Sequence, residues 1–179
     1  MDNGLIPRRY AKALYKFALE KGATKEIYVL SKRVVDAFRN NPDLQKVLSN
    51  PFVSDEDKEN LLLAASGEKD NEIFKQFVLL IISQKRVEYA QAMMLAYRDI
   101  YRKENHISQA RITTAVKLDD ARMKKLRKLV EDAFKDSEIE FTEAIDPSLI
   151  GGFVIDVDSV RMDASLSNEL EQLRQTLLS

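Results

Sequence analysis

Residues 72–84 read EIFKQFVLLIISQ and contain the longest apolar run of the chain, from Phe77 to Ile82. The segment is apolar nearly all round, so the pattern predicts a helix that is buried on most sides. A membrane-spanning helix needs about 20 consecutive apolar residues, and this run is far shorter. We therefore expect the segment to form the buried central helix of a bundle, and we expect no direct insertion into a membrane.

Amphipathic helices are predicted on both sides of this segment. Five residues near the N-terminus recur at intervals of three and four and so share one helical face: Tyr10, Ala13, Leu14, Phe17 and Ala18. Similar stripes predict helices over 27–38, 44–48, 54–63 and 87–101. Asn-Pro pairs at 41–42 and 50–51 separate them, because the residue before proline avoids the helical region. Ser54 is the expected N-cap of its helix.

The period of the pattern changes after about residue 105. Ala110 and Ile112 alternate with polar neighbours, and so do Ile139 and Phe141, as expected for half-buried strands. A helix capped by an aspartate at 119 or 120, a hairpin over 151–162 and a final helix complete this half. Ser165 is the expected cap of the final helix.

These patterns predict an α+β, mostly helical protein with two domains. The first, residues 1–105, is a six-helix bundle. The second, residues 106–179, is a small α/β domain with a short sheet.

Composition and charge exclude several classes of function. The 179 residues are 45% hydrophobic and 32% charged, with a net charge of -1, which is typical of a globular protein. A balanced charge gives no reason to expect nucleic acid as a partner. The sequence contains no cysteine, so disulfides and thiolate metal sites are excluded.

Motifs for catalysis and for cofactor binding are missing from the sequence. His106 is the only histidine, and no Gly-x-Ser-x-Gly elbow presents a serine to it. Gly151-Gly152 belongs to neither a dinucleotide nor a phosphate loop, and indicates a close backbone approach or a bulge at the start of a strand. We expect no catalytic residue, no metal and no cofactor.

Three aspartates near the C-terminus carry the one enzymatic alternative. Asp156, Asp158 and Asp163 lie close together, as in a metal-dependent hydrolase, but Val160 and Arg161 stand where a calcium loop needs a ligand and a glycine. A polar strand face with a capping aspartate is the favoured interpretation. A metal titration without heat or stabilisation would exclude the enzyme.

Helical surfaces remain as candidate binding sites. The aromatic and small residues of the first helix suit either a groove for a partner helix or the core. The stripe of the last helix suits packing on the sheet or on another helix, and it consists of Leu166, Leu170, Leu173 and Leu177. The residues alone therefore predict a two-domain binding module, and a generic helical adaptor stays open as an alternative.

Four segments resemble the delta subunit family of F-type ATP synthases, which includes the mitochondrial oligomycin-sensitivity-conferring protein. The first is Arg9 to Tyr15. The second is Asn50-Pro51-Phe52-Val53, followed by Lys58 and Leu61-Leu62. The third is the apolar helix that ends in Lys85-Arg86-Val87. The fourth comprises Ile145-Asp146, Leu149, Gly151 to Ile155, Asp163-Ala164-Ser165, Leu170 and Leu173. Asp156 and Asp158 depart from the family pattern, which usually has a basic or amide residue and a glycine there.

The resemblance implies a non-catalytic connector in the stator, present in one copy per complex. The N-terminal domain would bind N-terminal segments of the alpha subunits in a groove between its first and fifth helices. The matching residues are Tyr10, Ala13, Leu14, Phe17, Phe77, Leu80 and Ile81. The C-terminal domain would bind the ends of the b subunits, and the matching residues are Gly151, Gly152, Phe153, Asp163, Ser165, Leu170, Leu173 and Leu177. The implied location is peripheral, at the cytoplasmic face of the inner membrane.

Overall fold

The structure is a computed structural model that describes residues 4–68, 70–135 and 137–178, without the side chains of residues 177 and 178. The described residues divide into two compact units, of which the first ends at Glu104 and the second begins at Asn105. Each unit has its own buried apolar residues.

Six α-helices make up the described part of the first unit, as the sequence predicts. They are α1 (Leu5–Glu20), α2 (Thr24–Asn40), α3 (Asp43–Ser49), α4 (Asp55–Ser66), α5 (Glu72–Ser83) and α6 (Ala90–Glu104), with a 3-10 turn at Val87–Tyr89 before α6. Local signals set their ends. The Ser54 hydroxyl accepts a hydrogen bond from the Asp57 amide at 3.1 Å, and Gly67 ends α4 in the left-handed region.

The prediction that the segment 72–84 is the central helix is wrong. The helix that packs against both α1 and α2 is α6, and its Tyr97 is fully buried. By contrast, α5 packs mainly on α4, with a smaller contact to α1, and leaves Leu79 and Leu80 exposed. The apolar run therefore covers a core on one side and forms an apolar surface on the other.

The described residues of the second unit form a four-stranded mixed sheet with two α-helices. The elements are β1 (Ile107–Thr114), α7 (Asp120–Ala133), β2 (Glu138–Ile145), a 3-10 turn (Pro147–Leu149), β3 (Gly152–Val157), β4 (Val160–Ser165) and α8 (Leu166–Leu178). The strand order is β2-β1-β3-β4, with β1 and β2 parallel and the other pairs antiparallel. Because parallel neighbours need a crossover, α7 connects β1 to β2. Its Val130 is buried with Ala110, Ile112, Ile155 and Val157.

Candidate docking surfaces

The seven predicted groove residues differ in how accessible they are. Leu14, Phe77 and Ile81 are buried within the helical unit, where they contribute to its core. Tyr10 and Phe17 are half-buried, and Ala13 and Leu80 are exposed. The helices α1 and α5 are in contact. The accessible part of the predicted groove therefore consists of Tyr10, Ala13, Phe17 and Leu80. This set is called the α1–α5 surface below.

Sequence reasoning missed one member of the same stripe. Ile6 is half-buried and lies four residues before Tyr10. Positions 6, 10, 13 and 17 follow the helical repeat and lie beside the buried stripe at 7, 11, 14 and 18. The four-residue spacing between Ile6 and Tyr10 in the sequence could have placed Ile6 on the same helical face.

Aromatic contacts fix α1 on the helices beneath it. The Tyr15 and Tyr97 ring centroids are 5.9 Å apart, and the Tyr97 hydroxyl donates to the Thr24 carbonyl at 3.0 Å. Burial, followed by the nearby Tyr15 and Tyr101, raises the pKa of Tyr97 above its usual value, so this hydroxyl stays neutral and remains a donor. These contacts hold α1 against α6 and join α6 to the start of α2.

The two adjacent glycines have structural reasons to be glycine. Gly152 has φ +74°, and a Cβ atom there would lie 2.1 Å from the Ala164 carbonyl oxygen. A Cβ atom on Gly151 would lie 2.6 Å from Cδ1 of Leu166, the first residue of α8. Both positions allow β3, β4 and the start of α8 to approach closely, which agrees with the close approach that the sequence indicates.

Ile150 forms a strained and exposed turn before these glycines. Its φ of 64° and ψ of -40° lie where a β-branched residue is rarely found, and the Gly151 amide donates to the Leu149 carbonyl at 2.7 Å. This i to i+2 hydrogen bond defines a γ-turn of the strained kind. The Ile150 side chain is 64% exposed and lines a groove of about 450 Å³ together with Val116, Gly151 and Phe153.

The last helix presents an apolar stripe to solvent. Leu170 is 54% exposed and Leu173 is 59% exposed, and Leu166 is exposed as well. The stripe starts beside the groove, because Leu166 lies against Gly151. The side chain of Leu177 lies outside the described residues. Val116, Ile150, Leu166, Leu170 and Leu173 are called the α8 surface below.

Phe153 and Ser165 have internal roles. Phe153 packs against the core of the sheet, and Ser165 is buried. The Ser165 hydroxyl donates to Asp163 Oδ1 at 2.6 Å and accepts from the Asn168 amide at 3.2 Å, so it caps α8. The hydroxyl and amide of Ser165 lower the pKa of Asp163. In the same way, Ser148 lowers the pKa of Asp146 at the turn before β3.

The aspartates that carried the enzymatic alternative are used by the sheet itself. The Asp158 carboxylate accepts from the Gln109 amide at 3.1 Å, while its own amide donates to the Gln109 carbonyl at 3.1 Å. Asp156 lies between Arg111 on β1 and Arg161 on β4 in the strand register. Among the described residues, no group of three or more acidic or histidine side chains is arranged to bind a metal.

Comparison with known proteins decides the family. The model of the ATP synthase delta (OSCP) subunit family matches residues 6–177. The chain belongs to the ATP synthase delta (OSCP) subunit family. It is 36% identical to the ATP synthase subunit delta of Phocaeicola vulgatus, over 98% of this chain and 95% of that one. Identity to the same subunit of Bacteroides fragilis is 37%, over 99% and 96% of the two chains.

A solved structure shows the same fold. A chain in the cryo-EM structure of the Toxoplasma gondii mitochondrial ATP synthase hexamer matches with a TM-score of 0.72 at 20% identity, covering 97% of each chain. Within the described residues, no helix is both long enough and apolar enough to span a membrane.

Membership of this family makes the chain a structural, non-catalytic stator subunit, as the sequence predicts. It takes part in ATP synthesis as a peripheral component of the complex and associates with other subunits of the synthase.

Proposed function

We propose that the chain connects the catalytic head to the peripheral stalk, so that the head does not turn with the rotor during proton-driven ATP synthesis. The helical unit binds N-terminal segments of alpha subunits, and the α/β unit binds the C-terminal ends of b subunits. One copy serves each complex, at the cytoplasmic face of the inner membrane. The observation that carries the proposal is a separate exposed apolar surface on each unit.

The α1–α5 surface suits an amphipathic helix. Its accessible groups are two aromatic rings, an alanine and a leucine, and the alanine lets a partner backbone approach closely. Burial of such groups stabilises a complex by roughly 25 cal/mol per Å² of apolar area, and aromatic anchors often provide most of the affinity. An apolar contact also resists torque without depending on ionic strength.

The α8 surface suits the apolar face of a second helix. Leu166, Leu170 and Leu173 follow the helical repeat, and Ile150 stands beside the start of this stripe. Single apolar residues scattered over a surface are normal, whereas several exposed leucines on one stripe form a contiguous patch that is typical of an interaction site. The strained turn at Ile150 supports this assignment, because backbone strain is common where a side chain is positioned for binding.

The head-binding half is tested with Ala13→Glu. Ala13 is exposed, so the variant is expected to fold normally while it places a charge in the contact. We expect its affinity for the catalytic head of the same organism, measured by calorimetry, to fall at least about tenfold, or 1.4 kcal/mol. The matched control is Ala64→Glu on α4, another exposed alanine. Equal affinities for the two variants would remove the groove assignment.

The stalk-binding half is tested with Leu170→Asp. The control is Leu129→Asp on α7, because Leu129 is 48% exposed and so is matched in type and accessibility. Affinity for the soluble part of the b subunits is expected to fall for Leu170→Asp alone. If the wild type binds neither head nor b subunits, the chain is instead a helical adaptor for another partner.

A further inference from the structure

The last helix packs against its own unit mainly through its first turn. Ser165 caps α8, and the helix contacts β4 and the 3-10 turn at Pro147–Leu149. From Glu169 to Thr176 every side chain is exposed, and this stretch covers more than two helical turns. A helix of 13 residues is marginal in water without tertiary packing. The exposed leucines of α8 therefore form a face that a partner would stabilise.

These leucines follow a heptad repeat. Leu166, Leu170 and Leu173 are separated by four and three residues, and Leu177 continues the series in the sequence. In a heptad they occupy d and a positions in turn, which make a narrow seam. Such a seam is typical of a contact with one other helix at a small crossing angle.

Charges of opposite sign flank the seam. With Leu170 at position a and Leu173 at position d, Glu169 falls at g and Arg174 at e. The remaining flanking positions hold a serine and a threonine, so each flank of the seam carries one charge. In coiled coils the e and g positions set the choice of partner.

Both charges remain available to a partner. Glu169 makes no ion pair with another residue in the part of the chain that the structure describes. Arg174 lies 3.7 Å from Glu171, and both side chains are well exposed to solvent. An exposed pair of this kind contributes little stability, so Arg174 can exchange it for a contact across the seam.

The length of the seam indicates which kind of helix it fits. It spans fewer than two heptads, whereas coiled coils usually run for at least about three or four. A second copy of this chain would add only an equally short seam. A longer helix can continue past Leu166 into the adjoining groove, where Val116 and Ile150 are exposed. The α8 surface as a whole therefore fits one long helix.

We propose that α8 forms a short two-stranded coiled coil with a helix of the b subunits, and that Glu169 and Arg174 select this helix. The partner helix carries an apolar heptad seam, basic residues on the flank that faces Glu169, and acidic residues on the flank that faces Arg174. The assignment holds for either direction of the partner, because the e and g positions lie on opposite sides of the seam. This inference rests on the proposed function, which makes the b subunits the partner of this unit.

The test measures the affinity of the full chain for the soluble part of the b subunits by calorimetry. Glu169→Gln and Gln172→Lys each raise the net charge by one, whereas Arg174→Gln and Gln175→Glu each lower it by one. The two glutamines lie at positions c and f, outside the seam and its flanks. We expect Glu169→Gln and Arg174→Gln each to lower the affinity about two- to fivefold. The matched glutamine variants should keep the wild-type affinity.

Salt provides a second readout of the same contact. The losses in Glu169→Gln and Arg174→Gln should largely disappear at about 1 M salt, where charges are screened over about 3 Å. The loss in Leu170→Asp should persist there, because it comes from the apolar seam. All four charge variants should keep the wild-type melting temperature, since these side chains are exposed.

The proposal requires a loss of affinity in both Glu169→Gln and Arg174→Gln. Unchanged or higher affinity in either one would overturn it, and so would equal losses in the matched variants at Gln172 and Gln175. If the wild-type chain does not bind the b subunits, the proposed function itself fails. That result is distinct from wild-type binding that does not respond to the two flanking charges.

Discussion

Ile150 combines backbone strain with an exposed side chain, so stability and binding should respond to it in opposite directions. Glycine adopts a φ of 64° freely, and its extra entropy in the unfolded chain offsets part of the gain. We expect Ile150→Gly to raise the free energy of unfolding by up to about 1 kcal/mol and to weaken binding to the b subunits. Urea unfolding and calorimetry measure the two effects.

Ile145→Gly is the control for this prediction. Ile145 is 58% exposed on β2 and is not among the residues with positive φ, so glycine there should destabilise the sheet. A loss of stability in Ile150→Gly of the same size as in Ile145→Gly would show that the turn stores no strain.

Any side chain at Gly152 would clash with the backbone of β4. In Gly152→Ala the new methyl group would meet the Ala164 carbonyl at 2.1 Å and also oppose a φ of +74°, so we expect a loss of about 3 kcal/mol or more. Gly22 has a similar φ of +67°, but nothing lies within 4 Å of its Cβ position. Gly22→Ala should therefore cost only about 1 kcal/mol. Equal losses in urea unfolding would contradict the clash.

At the scale of elements, two Asp-x-Ser turns make the second unit sensitive to acid. Ser148 and Ser165 lower the pKa values of Asp146 and Asp163 below 3.8 in the folded state. The unfolded chain therefore takes up these protons first as the pH falls. The stabilisation is complete above pH 3.8 and disappears as the pH drops through the lowered pKa values.

Ser148→Ala tests this dependence on pH. The variant loses the hydroxyl that donates to Asp146 at 2.6 Å, so the pKa of Asp146 should rise toward 3.8 and stability should fall less steeply below pH 4. NMR titration measures the pKa, and urea midpoints at several pH values measure the slope. Ser159→Ala, an exposed serine of the β3–β4 turn, should keep the wild-type slope. An unchanged pKa of Asp146 in Ser148→Ala would refute the assignment.

The ends of elements were predictable from the sequence because their causes are local. Ser54 caps α4 with its own hydroxyl, Asp119 caps α7, and Ser165 caps α8, and each contact spans three residues. The place of α5 was not predictable. An apolar run such as Phe77 to Ile82 fits either a central helix or a helix with one exposed face, and only the packing of α6 decides between them.

The candidate surfaces were predictable only in part, for a similar reason. Helical spacing placed Tyr10, Ala13 and Phe17 on one face, but burial of Leu14 depends on distant contacts that spacing does not contain. The strain at Ile150 depends on the hydrogen bond between Leu149 and Gly151. The residue types at these positions do not indicate this strain in the sequence.

At the scale of the whole molecule, the two units should unfold at different denaturant concentrations. Among the residues that the structure describes, the helical unit buries a large set of apolar side chains, whereas the core cluster of the α/β unit has five buried members with partly exposed neighbours. A smaller core gives lower stability. The sequence supplies a selective reporter, because it has no tryptophan and all six tyrosines lie before residue 105.

Tyrosine fluorescence therefore follows the helical unit alone, while far-ultraviolet circular dichroism follows both units. We expect the dichroism to start falling at a urea concentration where the fluorescence of buried residues such as Tyr97 is still native. Gly152→Ala should move this early phase to lower urea and leave the fluorescence midpoint unchanged. Coincident transitions would instead mean that the chain unfolds as one cooperative body. In that case a substitution in one unit would also change the stability of the other, so the two candidate surfaces could not be altered independently.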